Sequence, residues 1–150
     1  MTTTWVVVAH QTAARFMECL PGHKRSLRLL RELENPDGRK KNQDLESDRS
    51  GESFTGVRSM GGQRAMHHEQ SAHEHVSERF AQTIASQLQH ARGAGEFDDL
   101  ILVAEPKFLG RLRAALDPAT AHRVVGSVTK DLAHVPAQSV AEHIADVLPL

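Results

Sequence analysis

The chain has 150 residues, 39% of them hydrophobic and 25% charged, with a formal net charge of −1 and a single cysteine, Cys19. That length and composition fit one folded domain with a real core, and they exclude a disordered chain, an internally disulfide-stapled one and a globally basic nucleic-acid binder. No segment is apolar for long enough to span a membrane, and Met1-Thr2-Thr3-Thr4 lacks a basic leader stretch, so the sequence reads as that of a cytoplasmic protein with no membrane partner.

Trp5-Val6-Val7-Val8-Ala9 is a short β-branched apolar run, the pattern of a buried strand, and His10-Gln11-Thr12 follows as a turn. Over residues 14–20 the chain alternates, with Ala14, Phe16, Glu18 and Leu20 on one face and Arg15, Met17 and Cys19 on the other. Pro21-Gly22 marks a connection. Leu27, Leu29, Arg31 and Leu33 then alternate with Arg28, Leu30 and Glu32, which predicts the third strand of an antiparallel meander.

Residues 35–67 break the pattern, with glycines, many charges and only isolated apolar residues such as Phe54 and Val57. A long polar loop is the expectation there. Residues 53–68 hold no acid at all, only Arg58, Arg64, His67 and His68, and within them lies Ser59-Met60-Gly61-Gly62-Gln63-Arg64. Two glycines let a backbone approach a partner closely, and the glutamine both donates and accepts hydrogen bonds. The simpler reading is a loop tip before a helix.

A helix is predicted over residues 68–91, where Val76, Phe80, Ile84 and Leu88 recur every four residues and Gly93 and Gly95 stop it. Leu100-Ile101-Leu102-Val103-Ala104 reads as a buried parallel strand. Pro106 opens a helix with Phe108, Leu109, Leu112, Ala115 and Leu116 on its core face, and Asp117-Pro118 ends it. Residues 123–128 read as a last strand, and Pro136 starts a last helix bearing Val140, Ile144, Val147 and Leu148. The order is βββαβαβα. Right-handed crossovers then give a mixed sheet in order 3-2-1-4-5, a ribonuclease-H-like α/β topology over a single domain, 1–150.

A two-metal nuclease needs carboxylates on the central strands, and the first strand carries none. His67, His68, His73 and His75 lie among Glu69, Glu74 and Glu78, but without a zinc-type spacing, and read as a solvated helix face; no metal or cofactor is implied. Ligands of open α/β sheets bind where the strand order reverses, here His10, Gln11 and Thr12 beside Glu105, Lys130 and Asp131. His10 and Glu105 are candidates for a base and its orienting partner, against the simpler reading of a polar strand-end network. Lys107, Arg111 and Arg113 form a basic run on one helix, able to meet phosphates or merely solvated.

The placement of Gly61-Gly62-Gln63 between a strand and a long helix resembles the middle domain of the archaeal and eukaryotic class I release factors. The resemblance implies a tip that enters the peptidyl-transferase centre, where a glutamine backbone N–H stabilises the oxyanion formed as water attacks the peptidyl-tRNA ester. It would make Gly61, Gly62 and Gln63 catalytic; Arg58 and Arg64 beside the tip, with Lys107 and Arg111 of the basic run, are by their charge the candidate RNA contacts. A broader resemblance rests on Asp44-Leu45-Glu46-Ser47-Asp48-Arg49, Ser53-Phe54, Ala65-Met66, His73-Glu74-His75, Glu78-Arg79-Phe80-Ala81 and Phe97-Asp98-Asp99-Leu100-Ile101-Leu102-Val103-Ala104. Pro106-Lys107-Phe108-Leu109-Gly110 and Lys130-Asp131-Leu132-Ala133-His134-Val135-Pro136 extend it. In these the chain resembles the bacterial family named for a protein required for attachment to host cells, itself related to that release-factor domain. The expectation is a ribosome- or tRNA-associated factor in hibernation, rescue or release. Two others stand beside it: a non-catalytic interaction protein linked to host association or stress, and a small-molecule enzyme at the switch point.

Overall fold

The computed structural model describes residues 2–20, 26–35 and 59–148, the side chains of 59–71 and 73 excepted. Every residue of β1 (Thr4–Ala9) is buried, as are the last four of β4 (Asp99–Val103). Strands apolar on both faces need a neighbour on each edge and a covering layer on each side. β1 pairs antiparallel with β2 (Ala13–Cys19) and parallel with β4. β3 (Leu27–Glu34) lies against β2 and β5 (Val124–Val128) against β4, giving the order β3-β2-β1-β4-β5. This is the five-stranded mixed sheet the sequence predicts.

The helices divide between its faces. α1 (Ser59–Gly93) and α2 (Pro106–Ala115) cover one face, setting Phe80, Ile84, Leu88, Phe108 and Leu112 on Trp5, Val7, Phe16, Leu100 and Leu102. After α3 (Pro118–Ala121) and β5 the chain crosses to the other face. There α4 (Ala137–His143) packs Val140 and Ala141, with Ile144 beyond it, on Val6, Val8, Met17, Ile101 and Val103. Among the described residues no helix is long and apolar enough to cross a membrane.

Four features depart from the sequence reading. β3 does not alternate strictly. Phe16 faces Arg31 and Met17 faces Leu29, so Leu30 is an extra residue, and the bulge turns Leu30 and Leu33 towards the α1 side while Leu27 stays on the other. A second bulge leaves Val125 outside the β4–β5 register and 58% exposed, while Gly126 lets Val147 approach so closely that an added Cβ would sit 3.2 Å from it. Asp117-Pro118 does not merely end a helix. Asp117 caps α3, its Oδ1 accepting from the Thr120 amide at 3.1 Å, and its Oδ2 lies 3.7 Å from Arg92 Nη2. Finally, α1 starts at Ser59, nine residues before the expected start, so the backbone of Gly61-Gly62-Gln63 is helical and not a loop. The rest of the expected loop, residues 36–58 with Arg58, lies outside the described residues.

Ile101 lies in the centre of the sheet with none of its surface exposed. Ile101→Ala should cost about 2–5 kcal/mol of unfolding free energy, measured by urea denaturation. The capping bonds to Thr120, with Arg92 beside them, hold the Asp117 carboxyl below its ordinary range. A lowered carboxyl pKa contributes stability in neutral solution that is lost as pH falls through the folded value. Asp117→Asn keeps a capping oxygen but no charge. It should melt lower than the wild type at pH 7, and the gap should close as the pH is taken below the usual carboxylate range.

Candidate functional site

β1, β4 and β5 run parallel, so their carboxyl ends meet at one end of the sheet. There β1 leads back to β2 while β4 leads outward to β5, which makes this the switch point. The turn after β1 is tightly tied. The His10 amide donates to the Ala13 carbonyl at 2.8 Å, the Asn35 amide donates to the Thr12 carbonyl at 2.8 Å, and Asn35 Nδ2 donates to the Gln11 carbonyl at 3.1 Å. Asn35, buried at the end of β3, is therefore the clamp of this turn.

The His10 ring sits between two partners. Its Nδ1 accepts from the Thr12 amide at 3.3 Å and lies 3.1 Å from Thr12 Oγ1. A backbone amide only donates, so Nδ1 is the bare nitrogen and the neutral ring carries its proton on Nε2. Nε2 faces Asp131 Oδ2 at 4.0 Å, and the His134 ring stands edge-on at 5.6 Å. The expected partnership with Glu105 is not what forms. Glu105 begins α2 as a backbone cap without a side-chain bond, and Asp131 takes the place at His10. The ring's only lone pair is occupied by Thr12, so His10 presents a donor to the site and not a base. That suits binding of an acceptor and argues against proton abstraction by this residue.

The floor of the site is held by Arg15, whose Nη2 donates to the Leu132 carbonyl at 2.6 Å and so ties the segment after β5 to the sheet. Partial burial lowers the Arg15 pKa from its usual value, and Glu32 opposite it in the β2–β3 register works the other way. Lys130 Nζ reaches the His143 carbonyl at 3.3 Å. Lys107 lies 3.7 Å from Glu74 of α1, Arg111 is half-buried, and Arg113 is taken up by Ser127 Oγ at 2.6 Å. The structure thus brings together His10, Thr12 and Asp131, with Gln11 serving through its carbonyl, while Lys130, next to Asp131 in sequence, reaches His143 instead. The side chains of Gln63, Arg64, His67, His68 and His73 lie outside the described residues. Among the described residues no three histidine, cysteine, aspartate or glutamate side chains converge as metal ligands.

A family model described as "Protein required for attachment to host cells" matches residues 5–144. The chain belongs to that family. No curated protein matches the sequence. The matched range spans the sheet from Trp5 onward and includes His10 and Asp131. The family description names a biological process and assigns no chemistry to these residues.

Sequence reasoning missed Arg15, Asn35 and His134. For Arg15 the signal was present: an arginine on the strand face shared with Met17 and Cys19 has to find an acceptor. Asn35 and His134 gain their roles only through contacts across the fold. Arg15→Met should cost about 1–3 kcal/mol, because the Leu132 carbonyl loses a charged donor; urea unfolding of the two proteins checks it.

Proposed function

We propose that this chain is a ribosome- or tRNA-associated factor that approaches RNA with the carboxyl end of its sheet and the leading end of α1. The observation that carries this reading is the direction of α1. The helix finishes at Gly93, close to the start of β4 at Asp99, so it runs back along the sheet and its leading end points the way the switch point does. Glu74 meets Lys107 at the first turn of α2, on that same end. From Glu74 back to Ser59 is about 22 Å of further helix at 1.5 Å per residue, and Gly61-Gly62-Gln63 lies within it. Lys107, Lys130 and the donor Nε2–H of His10 give the same end groups suited to phosphate oxygens.

Peptidyl-tRNA hydrolysis is the finer step of this reading, supported by the resemblance to release-factor middle domains. Water would attack the ester carbonyl, the bond to the tRNA 3′ oxygen would break, and the Gln63 amide would donate to the oxyanion. In a helix that amide is held in the ladder, so catalysis asks for the first turns to open. Gly61 and Gly62, each about 1 kcal/mol poorer than alanine in a helix, keep that cost low. A non-catalytic interaction protein is the second reading, favoured by the family's description.

Sedimentation with ribosomes through a sucrose cushion at moderate salt tests the first reading. The wild type should pellet, and Lys107→Ala with Lys130→Ala should pellet several-fold less; a wild type left in the supernatant would sink it. Ribosomes loaded with peptidyl-tRNA test the catalytic step. Release should fall on Gln63→Ala and Gly62→Ala, and equal release by all three proteins removes the tip from catalysis. A partner that survives nuclease treatment of the lysate would favour the second reading.

A further inference from the structure

We infer that the outward face of α1, together with Arg31 of β3, is the surface that seats the sugar–phosphate backbone of the RNA; this rests on the RNA-associated reading above and names a second contact surface for it, distinct from the carboxyl end. An open groove of about 480 Å³ runs along this face, lined by Arg79, Gln82, Thr83, Ser86 and Gln87. Arg31 bounds it from the sheet, with Nη1 donating to Gln87 Oε1 at 3.0 Å and its guanidinium held 5.4 Å over the Phe16 ring. That stacking fixes the guanidinium before any ligand arrives.

The lining holds no carboxylate. Arg79, Thr83, Ser86 and His90 recur at spacings of three and four, so they share one side of the helix. Of the two exposed acids on the described part of α1, Glu74 is paired with Lys107, and Glu78 is outside the lining, about 100° around the helix from Arg79 though one turn before Gln82. Glu32 of β3 is opposite Arg15 in the register, whose side chain reaches the Leu132 carbonyl on the α4 side of the sheet, away from Arg31. A chain of net charge −1 thus has a groove lined by one guanidinium group with amides and hydroxyls, and a second guanidinium, that of Arg31, bonded at its edge to Gln87. Guanidinium groups with Gln, Ser and Thr side chains are the set that contacts phosphate oxygens and sugars. The same amides and hydroxyls accept from a ribose 2′-hydroxyl.

The test is anisotropy titration of dye-labelled deacylated tRNA across a salt series. Arg79→Glu and Thr83→Glu should each raise Kd about tenfold, and Arg79→Glu should lower the salt slope by about one, with melting temperatures unchanged because both positions are exposed. Arg123→Glu, exposed at the opposite end of the sheet, should stay within about twofold of the wild type. Tight tRNA binding that neither Arg79→Glu nor Thr83→Glu weakens overturns this surface and leaves the RNA reading standing. Equal weakening by Arg123→Glu overturns it too, because the effect is then one of net charge. No binding of tRNA or ribosomes by the wild type overturns both. A nuclease-resistant protein partner lost with Arg79→Glu would assign the groove to a protein and overturn the RNA claim.

Discussion

The parallel pairing of β1 with β4 is the constraint on which everything else depends. Both strands are buried on both faces, so neither can stand at an edge or face water. The pairing forces a crossover through α1, a neighbour on each outer edge, and helices on both sides of the sheet. It also decides where polar groups gather. Parallel strands end together, so the turns that follow β1, β4 and β5 bring His10, Glu105 and Asp131 to one end although they are far apart in the sequence. The switch point is a by-product of burying two apolar strands side by side.

What gathers there is a network that binds and holds more readily than it transfers protons. Thr12 occupies the lone pair of His10, Asp131 stands at the loose distance of 4.0 Å on the other side of the ring, and Ala133 takes the other Asp131 oxygen at 3.3 Å. Arg15 carries its charge into a partly buried position for the sake of one carbonyl, that of Leu132. Such a bond locks the segment between β5 and α4 onto the sheet, and the rim of the site is then as rigid as the strands beneath it. Rigidity of this kind favours recognition of a large, preformed partner, since little ordering is left to be done on binding.

Strand identities, strand order and the packed half of α1 were legible because each rests on apolar periodicity, which is local and strong at Val6-Val7-Val8, at Val76, Phe80, Ile84 and Leu88, and at Ile101-Leu102-Val103. The bulges at Leu30 and Val125 were not legible. A bulge is a mismatch between two strands, and one strand alone carries no sign of it. The start of α1 was misplaced for a different reason. Gly61 and Gly62 read as loop residues by propensity, whereas helix residues on either side carry the backbone through them. That His10 and Asp131 share one end of the sheet followed from topology alone, but the choice of Asp131 over Glu105 as the partner of His10 depends on how far the segment after β5 folds back, which no residue pattern states.

The two ends of α1 obey different rules, and that contrast bears on function. From Val76 to Ala91 the helix is held by its apolar stripe. Residues 59–75 hold only Met60, Ala65, Met66 and Ala72 as apolar residues, interrupted by two glycines and four histidines. Helical stability in proteins comes chiefly from burying an apolar face, and a segment of that composition gains little from it. Retaining helix there makes sense if the segment's task is to extend a contact surface that already begins on the packed part. The groove lined by Arg79, Thr83 and Ser86 lies on the packed part of that helix, and the sequence holds no acid from residue 53 to 68. One helix thus has two parts, one anchored on the sheet by its apolar stripe and one that extends beyond that stripe.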